Sequence, residues 1–392
     1  MNKKSLLVIT FLLLSLFTAD AQLYNQQKAD KLLQAYREEL ALFRKEHPKK
    51  RNLPDVKFFF FGMGNRPKMV YKNGKIINLS TGKSIRRWKV KTATIVPSEY
   101  LVHLELEDGR AVDIQEDSTG VYAYENNLQI ILAESPVKLP SFGGNRFAGI
   151  LRVLHHEILI NINDGKPLPN FMVYAKPWYK SAAVITMALV QTQNVPLISD
   201  WILHLNSPFD RNNNGYAEAD NLGQALYMLS IVSDKKHPLV NKILDEADNF
   251  DKGGYIEGRT DLQPHAVFQT KWLKFGLKAL QLPDKYKIPT AYDSYSSLFW
   301  FDFKQEYVKG EQFDDNVALT SPHYSWAEDH FFKQAKGPIS LKDYPLTWEA
   351  EATEVNYSKL GLIDQTLVDV RISPTNAWQA AEILLLLLQE KK

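Results

Sequence analysis

The chain has 392 residues, with 47 basic and 45 acidic side chains and a formal charge of +2. A charge so balanced gives no electrostatic footing for nucleic acid or an anionic membrane. Cysteine is absent, which excludes disulfides, thiol nucleophiles, thiolate metal sites and a lipidated cysteine anchor, while 45% hydrophobic and 23% charged residues fit a soluble globular chain.

Residues 1–21 read as a signal peptide. Lys3 and Lys4 form a positive start, Leu6 to Phe17 an apolar core, and Ala19-Asp20-Ala21 a small-residue cleavage site. The apolar run is too short to span a bilayer comfortably. The mature protein is therefore expected to be exported, periplasmic or secreted, with no stable membrane insertion.

The remaining chain is longer than one typical core, so more than one region is expected. Residues 22–55 read as a helix and linker. From Gln26 to Phe43, Leu32, Leu33, Tyr36, Leu40 and Phe43 recur at helical spacing, and His47-Pro48 ends the run. Residues 56–175 read as a β-rich domain of antiparallel strands. Asn73-Gly74 and Asp108-Gly109 supply the positive φ of tight hairpin turns. Leu101 to Leu106 alternates apolar with polar, as a half-buried strand does. Ile150 to Tyr174 is expected to add a hairpin through Asn163-Asp164-Gly165.

Residues 176–392 change texture. Apolar segments of helical length alternate with short polar connections: Ala182–Val190, Pro196–Leu205, Leu222–Leu229, Pro238–Ala247, Val267–Leu280, Thr347–Tyr357 and Asn376–Leu388. The fold class expected is α+β, an N-terminal antiparallel β region followed by an α/α toroid of helical hairpins, complete or incomplete. Asp293–Lys336 is rich in aromatics and reads as long loops over one helical end.

Chemistry concentrates at Asp210–Gln224. Asp210-x-Asn212-x-Asn214-Gly215 copies the first half of a calcium loop, but Asn221 stands where that loop needs a bidentate glutamate. A plain Asn-Gly turn entering a helix reads as well. Asp220 falls at a helix start, where it either caps the backbone or serves beside Glu218 as a catalytic carboxylate. Glycoside hydrolysis needs a proton donor and a base or nucleophile. Glu349 is the first candidate partner, with Glu328 and Asp329 next. His155-His156-Glu157 hints at a metal, but on a strand these neighbours would diverge; no metal or cofactor is expected. Trp178, Tyr179, Trp326, Trp348 and Trp378, with His330 and Asn221, are candidates to line a sugar cleft. Lys180, Arg259 and Lys271 are candidates to pair with a substrate carboxylate. Glu382 shares a helical face with Trp378.

The stretches Lys176-Pro177-Trp178-Tyr179, Glu218 to Gln224, Trp326 to Phe331, Tyr344 to Glu349 and Trp378 to Glu382 together resemble secreted bacterial α/α-toroid glycoside hydrolases, closest to glycoside hydrolase family 154. The resemblance implies exo-acting release of glucuronic acid from complex glycans. Two departures are visible. Lys180-Ser181 stands where Arg-Asp is often found, and Pro374 to Trp378 lacks the histidines of the last helix. The expectation is thus an exported glycan-active hydrolase acting on an oligosaccharide or polysaccharide, with Asp220 and Glu349 as the acid–base pair. A polysaccharide lyase or unsaturated-uronide hydrolase on the same architecture, and a non-catalytic glycan-binding relative, are the alternatives.

Overall fold

A computed structural model describes residues 24–46, 50–261, 263–289, 339–352 and 356–389. The expected signal peptide and the aromatic-rich stretch carrying Trp326, Glu328, Asp329 and His330 lie outside the described residues. Helix α1 (Gln26–Glu46) runs one turn longer than its apolar spacing suggested and buries Ala29, Tyr36, Leu40 and Phe43. Strand β1 (Lys50–Arg51) then pairs in parallel with a distant segment, β15 (Ile339–Ser340).

Two antiparallel sheets follow. The first holds β2 (Phe59–Phe61), β3 (Met69–Lys72), β4 (Lys75–Asn78) and β5 (Ser84–Arg87) in sequence order. The second is a meander of β6 (Val90–Val96), β7 (Leu101–Leu106), β8 (Ala111–Glu116), β9 (Gly120–Glu125) and β10 (Leu128–Glu134). The first hairpin turns at Asn73 and Gly74, with φ of 47° and 70°. That pair of positive angles matches the right-handed twist of the flanking strands. Both faces of β2 are sealed: Phe59 stacks on His156 with ring centroids 4.9 Å apart, and Phe60 meets Phe171 edge-on at 5.2 Å.

The expected strand from Ile150 is instead helix α2 (Ala148–Ile160), buried on nearly every side. Its continuous apolar run carries no period that separates a buried helix from a buried strand. The anticipated Asn163-Asp164-Gly165 turn does form, joining two-residue strands β11 (Ile162–Asn163) and β12 (Lys166–Pro167).

Helices then follow: α3 (Tyr179–Gln191), α4 (Ser199–Leu203), α5 (Asp220–Val232), α6 (Pro238–Phe250) and α7 (Ala266–Ala279). Between the last two lies a hairpin of β13 (Arg259–Thr260) and β14 (Gln263–Pro264). The described part of Thr347–Tyr357, residues 347–352 and 356–357, forms no helix where its length suggested one. It contributes β16 (Glu349–Ala350), paired with β17 (Ile372–Ser373). The N–H groups of Leu346 and Thr347 are committed to the Glu157 carboxylate, which holds this segment extended. A 3₁₀ turn at Ser358–Leu362 and α8 (Gln365–Asp369) lead through β17 to the last helix, α9 (Ala377–Gln389).

Packing contacts link the helices in the spatial order α2, α9, α3, α5, α7. α3, α5 and α7 are buried almost all round, whereas α6 buries one stripe, Leu239, Val240, Ile243 and Ala247. All-round apolar helices belong inside and striped ones outside, so the helical region has an inner and an outer layer. α5 and α7 touch backbone to backbone. A Cβ on Gly223 would lie 2.0 Å from the Trp272 carbonyl carbon, so only glycine fits there. One hydrophobic core runs from Tyr36 through the sheets to Leu387. No helix among the described residues is long and apolar enough to cross a membrane.

Candidate functional site

The N-terminal ends of α3, α5, α7 and α9 meet at one end of the helical layer. Lys180 belongs to the first turn of α3, Asp220 opens α5, the β13–β14 hairpin precedes α7, and Asn376 precedes α9. Their side chains are tied to one another. The Lys180 Nζ pairs with both carboxylate oxygens of Asp261, at 2.8 and 3.1 Å. It also lies 5.9 Å from the ring centroid of Trp378. Asp261 occupies the hairpin tip at φ 52°, a left-handed conformation that aspartate tolerates better than most residues. Its backbone N–H donates to Glu218 Oε1, and its carbonyl accepts from Asn213 Nδ2 at 3.0 Å.

Glu218 and Glu349 are two carboxyls at these helix ends whose pKa burial raises. Glu218 Oε1 also accepts from Asn213 Nδ2 at 3.2 Å, while its Oε2 makes no hydrogen bond among the described residues. Burial first, and then the neighbouring Asp220 charge, push Glu218 up to about 7; Lys180 pulls the other way. Glu349 accepts from Tyr174 OH at 3.1 Å and from Asn376 Nδ2 at 2.7 Å. Burial pushes it up to about 7 as well, against the Tyr174 hydrogen bond and Lys180. A carboxyl that titrates near neutrality exchanges protons readily at physiological pH. The Lys180 ammonium favours the ionised form of Glu218, Asp220, Asp210 and Glu349 alike. The helix N-termini add positive dipole ends in the same sense.

Asp220 differs from the expectation. It is fully buried, accepts from Thr260 Oγ1 at 2.6 Å and from Gln224 Nε2 at 2.7 Å, and caps no backbone group. Burial raises its pKa, Lys180 opposing. Both its oxygens are engaged inside the protein, and it acts on Glu218 through its charge. The Asp210 loop is likewise a clasp and not a calcium loop. Asp210 accepts from the N–H groups of Tyr179 and Asn212, at 2.6 and 2.9 Å, and burial pushes it up to about 6. Asn221 closes this clasp, accepting from Asp210 N at 3.1 Å, so it is a loop holder rather than a sugar contact.

Among the aromatics, Trp178 and Trp378 are half-buried near Lys180, and Trp178 meets Tyr174 edge-on at 5.5 Å. Tyr179 turns away, donating its hydroxyl to Ser207 O at 3.0 Å. Trp348 is buried, with the Arg51 guanidinium 5.9 Å from its ring. Lys271 is buried on α7, two positions past Gln269, whose amide reaches Thr260 at 2.9 Å. Positions two apart lie on different helix faces, so Lys271 is not aligned with that contact. Arg259 is exposed, stacked on Tyr216 at 3.9 Å. Glu382 is buried on α9.

His155, His156 and Glu157 lie on α2 and disperse to separate partners: Asn194, Phe60 O and the Leu346–Thr347 backbone. Among the described residues no group of three or more histidine or acidic side chains is arranged to hold a metal. Residues that the sequence did not single out are Asp261, Tyr174 and Thr260, while Asn213 lies within the Asp210–Gln224 stretch. Only Asp261 carries a local signal, as an aspartate at a turn. A cavity of about 670 Å³ lies elsewhere, lined by residues of α1 and β6 and by residues 341–344. Its acidic side chains Asp55 and Asp343 are paired with Lys342 and Arg37, at 3.0 and 2.8 Å. Compared with known proteins, the chain matches no family model, no curated protein and no solved structure.

Proposed function

We propose that the protein is an exported glycoside hydrolase that releases a uronic acid from glycans, with its inner helices forming an incomplete α/α toroid. The observation that carries this reading is the pair Glu218 and Glu349, both held near neutrality around Lys180 and beside the indoles of Trp178 and Trp378. Paired carboxyls beside aromatic faces suit cleavage of a glycosidic bond.

The roles follow from the hydrogen bonds. Both oxygens of Glu349 accept, from Tyr174 and Asn376, which stabilises the ionised base or nucleophile. Glu218 faces the like charge of Asp220, and among the described residues its Oε2 accepts no hydrogen bond, which suits it to hold and deliver the proton. Asp220 is a positioning residue. Asp261 supplies beside Lys180 the carboxylate that Ser181 lacks.

The test is hydrolysis of aryl glycosides and of acidic oligosaccharides by the wild type, Glu218→Gln and Glu349→Gln. Loss of turnover in both variants with an unchanged melting temperature supports the reading. A product absorbing in the ultraviolet would instead indicate elimination by a lyase. Tight oligosaccharide binding without turnover in the wild type would make the protein a glycan-binding one.

A further inference from the structure

The inner site is rich in carboxyls, and its lysine is already held. Asp210, Glu218, Asp220, Asp261 and Glu349 gather round Lys180, and Asp261 occupies the ammonium from both oxygens. A substrate oxyanion brought there meets like charge on several sides. One step outward the sign changes. Arg259 pairs across an isolated parallel bridge with Glu218, and its carbonyl accepts from Ala219 N at 3.0 Å. Paired strands run about 4.8 Å apart, so the two residues are separated by roughly the width of one sugar ring.

Along β13 the faces alternate. Thr260 turns inward to Asp220, and Arg259 turns outward. The Arg259 guanidinium lies 3.9 Å from the ring centroid of Tyr216 and makes no ion pair among the described residues. Tyr216 is itself 45% exposed and donates its backbone N–H to Asn213, the residue that also holds Glu218 and the Asp261 carbonyl. The stacked pair is therefore braced by the same loop as the proposed acid. Stacking fixes the guanidinium plane and leaves its N–H edge available for a two-point hydrogen bond to an oxyanion.

We propose that Arg259 stacked on Tyr216 is an oxyanion-binding subsite at the rim, which takes the carboxylate or sulfate of an acidic glycan while Lys180 stays with Asp261. This rests on the glycosidase reading above and assigns its charge recognition. Both residues are exposed, so Arg259→Met and Tyr216→Ala leave the core intact.

The experiment measures kcat and KM for an aryl glucuronide, a 6-sulfated aryl glucoside and an unmodified aryl glucoside, with calorimetry on the free sugar acids as a parallel arm. The expected result is a rise of tenfold or more in KM for an acidic substrate with Arg259→Met, little change in kcat, and no change for the neutral one. Tyr216→Ala should weaken the same substrate less. Whichever acidic substrate responds identifies carboxylate or sulfate. Equal effects on charged and neutral substrates, or none, overturn the subsite. If the wild type cleaves nothing, the hydrolase reading fails. The subsite then stands only if glucuronate or glucose 6-sulfate binds the wild type and loses at least tenfold in affinity with Arg259→Met; otherwise it falls too.

Discussion

Lys180 and Asp261, 81 residues apart in the chain, form a two-point ion pair with Nζ 2.8 and 3.1 Å from the carboxylate oxygens. The Lys180 side chain is 13% exposed and that of Asp261 32%, so the pair lies at the edge between core and solvent. Lys180 acts on its neighbours by charge. Replacing it with methionine removes the positive charge that lowers Glu218 and Glu349, so both carboxyls should titrate above their present value of about 7. The acid limb of the pH–activity profile, set by ionisation of the base, is then expected to move to higher pH. A profile that keeps its shape and position in Lys180→Met would contradict the electrostatic role.

Glu349→Gln and Glu218→Gln should each lower kcat by about 10²–10⁴, the usual worth of a general acid or base. Asp220→Asn should behave differently. Asp220 only accepts, from Thr260 and Gln224, and an amide turns one acceptor into a donor. A stability loss of about 1–3 kcal/mol by urea denaturation is expected, with a smaller fall in kcat. If Asp220→Asn loses as much turnover as Glu218→Gln at unchanged stability, Asp220 is the catalytic acid.

Glu157 lies at the junction of α2 with the 344–349 segment. It accepts from Leu346 N, Thr347 N and Thr347 Oγ1, yet burial still pushes it up to about 8 from an ordinary 4.5. Between those values the folded chain holds a proton that the unfolded chain has released. This contribution is therefore fully present below pH 4.5 and is lost as pH rises through 8. Relative to wild type, Glu157→Gln should gain about 1.4 kcal/mol per pH unit across that window. His155 and His156, pushed down to about 3, and Lys68, pushed down to about 7, shape both proteins equally and cancel in the difference. Urea midpoints at several pH values measure it, and parallel curves would refute it.

Gly223→Ala should separate α5 from α7. The added Cβ would sit 2.0 Å from the Trp272 carbonyl carbon and 2.4 Å from Leu273 N, both backbone atoms. Overpacking of side chains costs about 1–3 kcal/mol, and a backbone collision exceeds that range. A melting temperature within a degree of wild type would show that the helices are not so tightly apposed.

What the sequence determined by itself is short-ranged. Helical spacing located α1, α3, α5, α6, α7 and α9 to within a few residues, and Asn73-Gly74 and Asp108-Gly109 placed two hairpin turns. Period and turn chemistry depend on neighbours a few positions away, so they are written locally. Where the period vanished, as in Ile150–Ile160, the sequence could not separate helix from strand. Tertiary packing also held 346–347 extended ahead of the short strand at Glu349–Ala350, because the buried Glu157 claimed the Leu346 and Thr347 N–H groups. Of the candidate site, Glu218, Glu349, Lys180, Trp178 and Trp378 could be named from their neighbours in the chain. Only the three-dimensional arrangement placed Asp261, Tyr174 and Asn376 against them and buried Asp220 against Thr260 and Gln224. The physical reason is that hydrogen bonds and burial act across space, between residues as far as 175 positions apart in the case of Tyr174 and Glu349, and no local pattern encodes that distance.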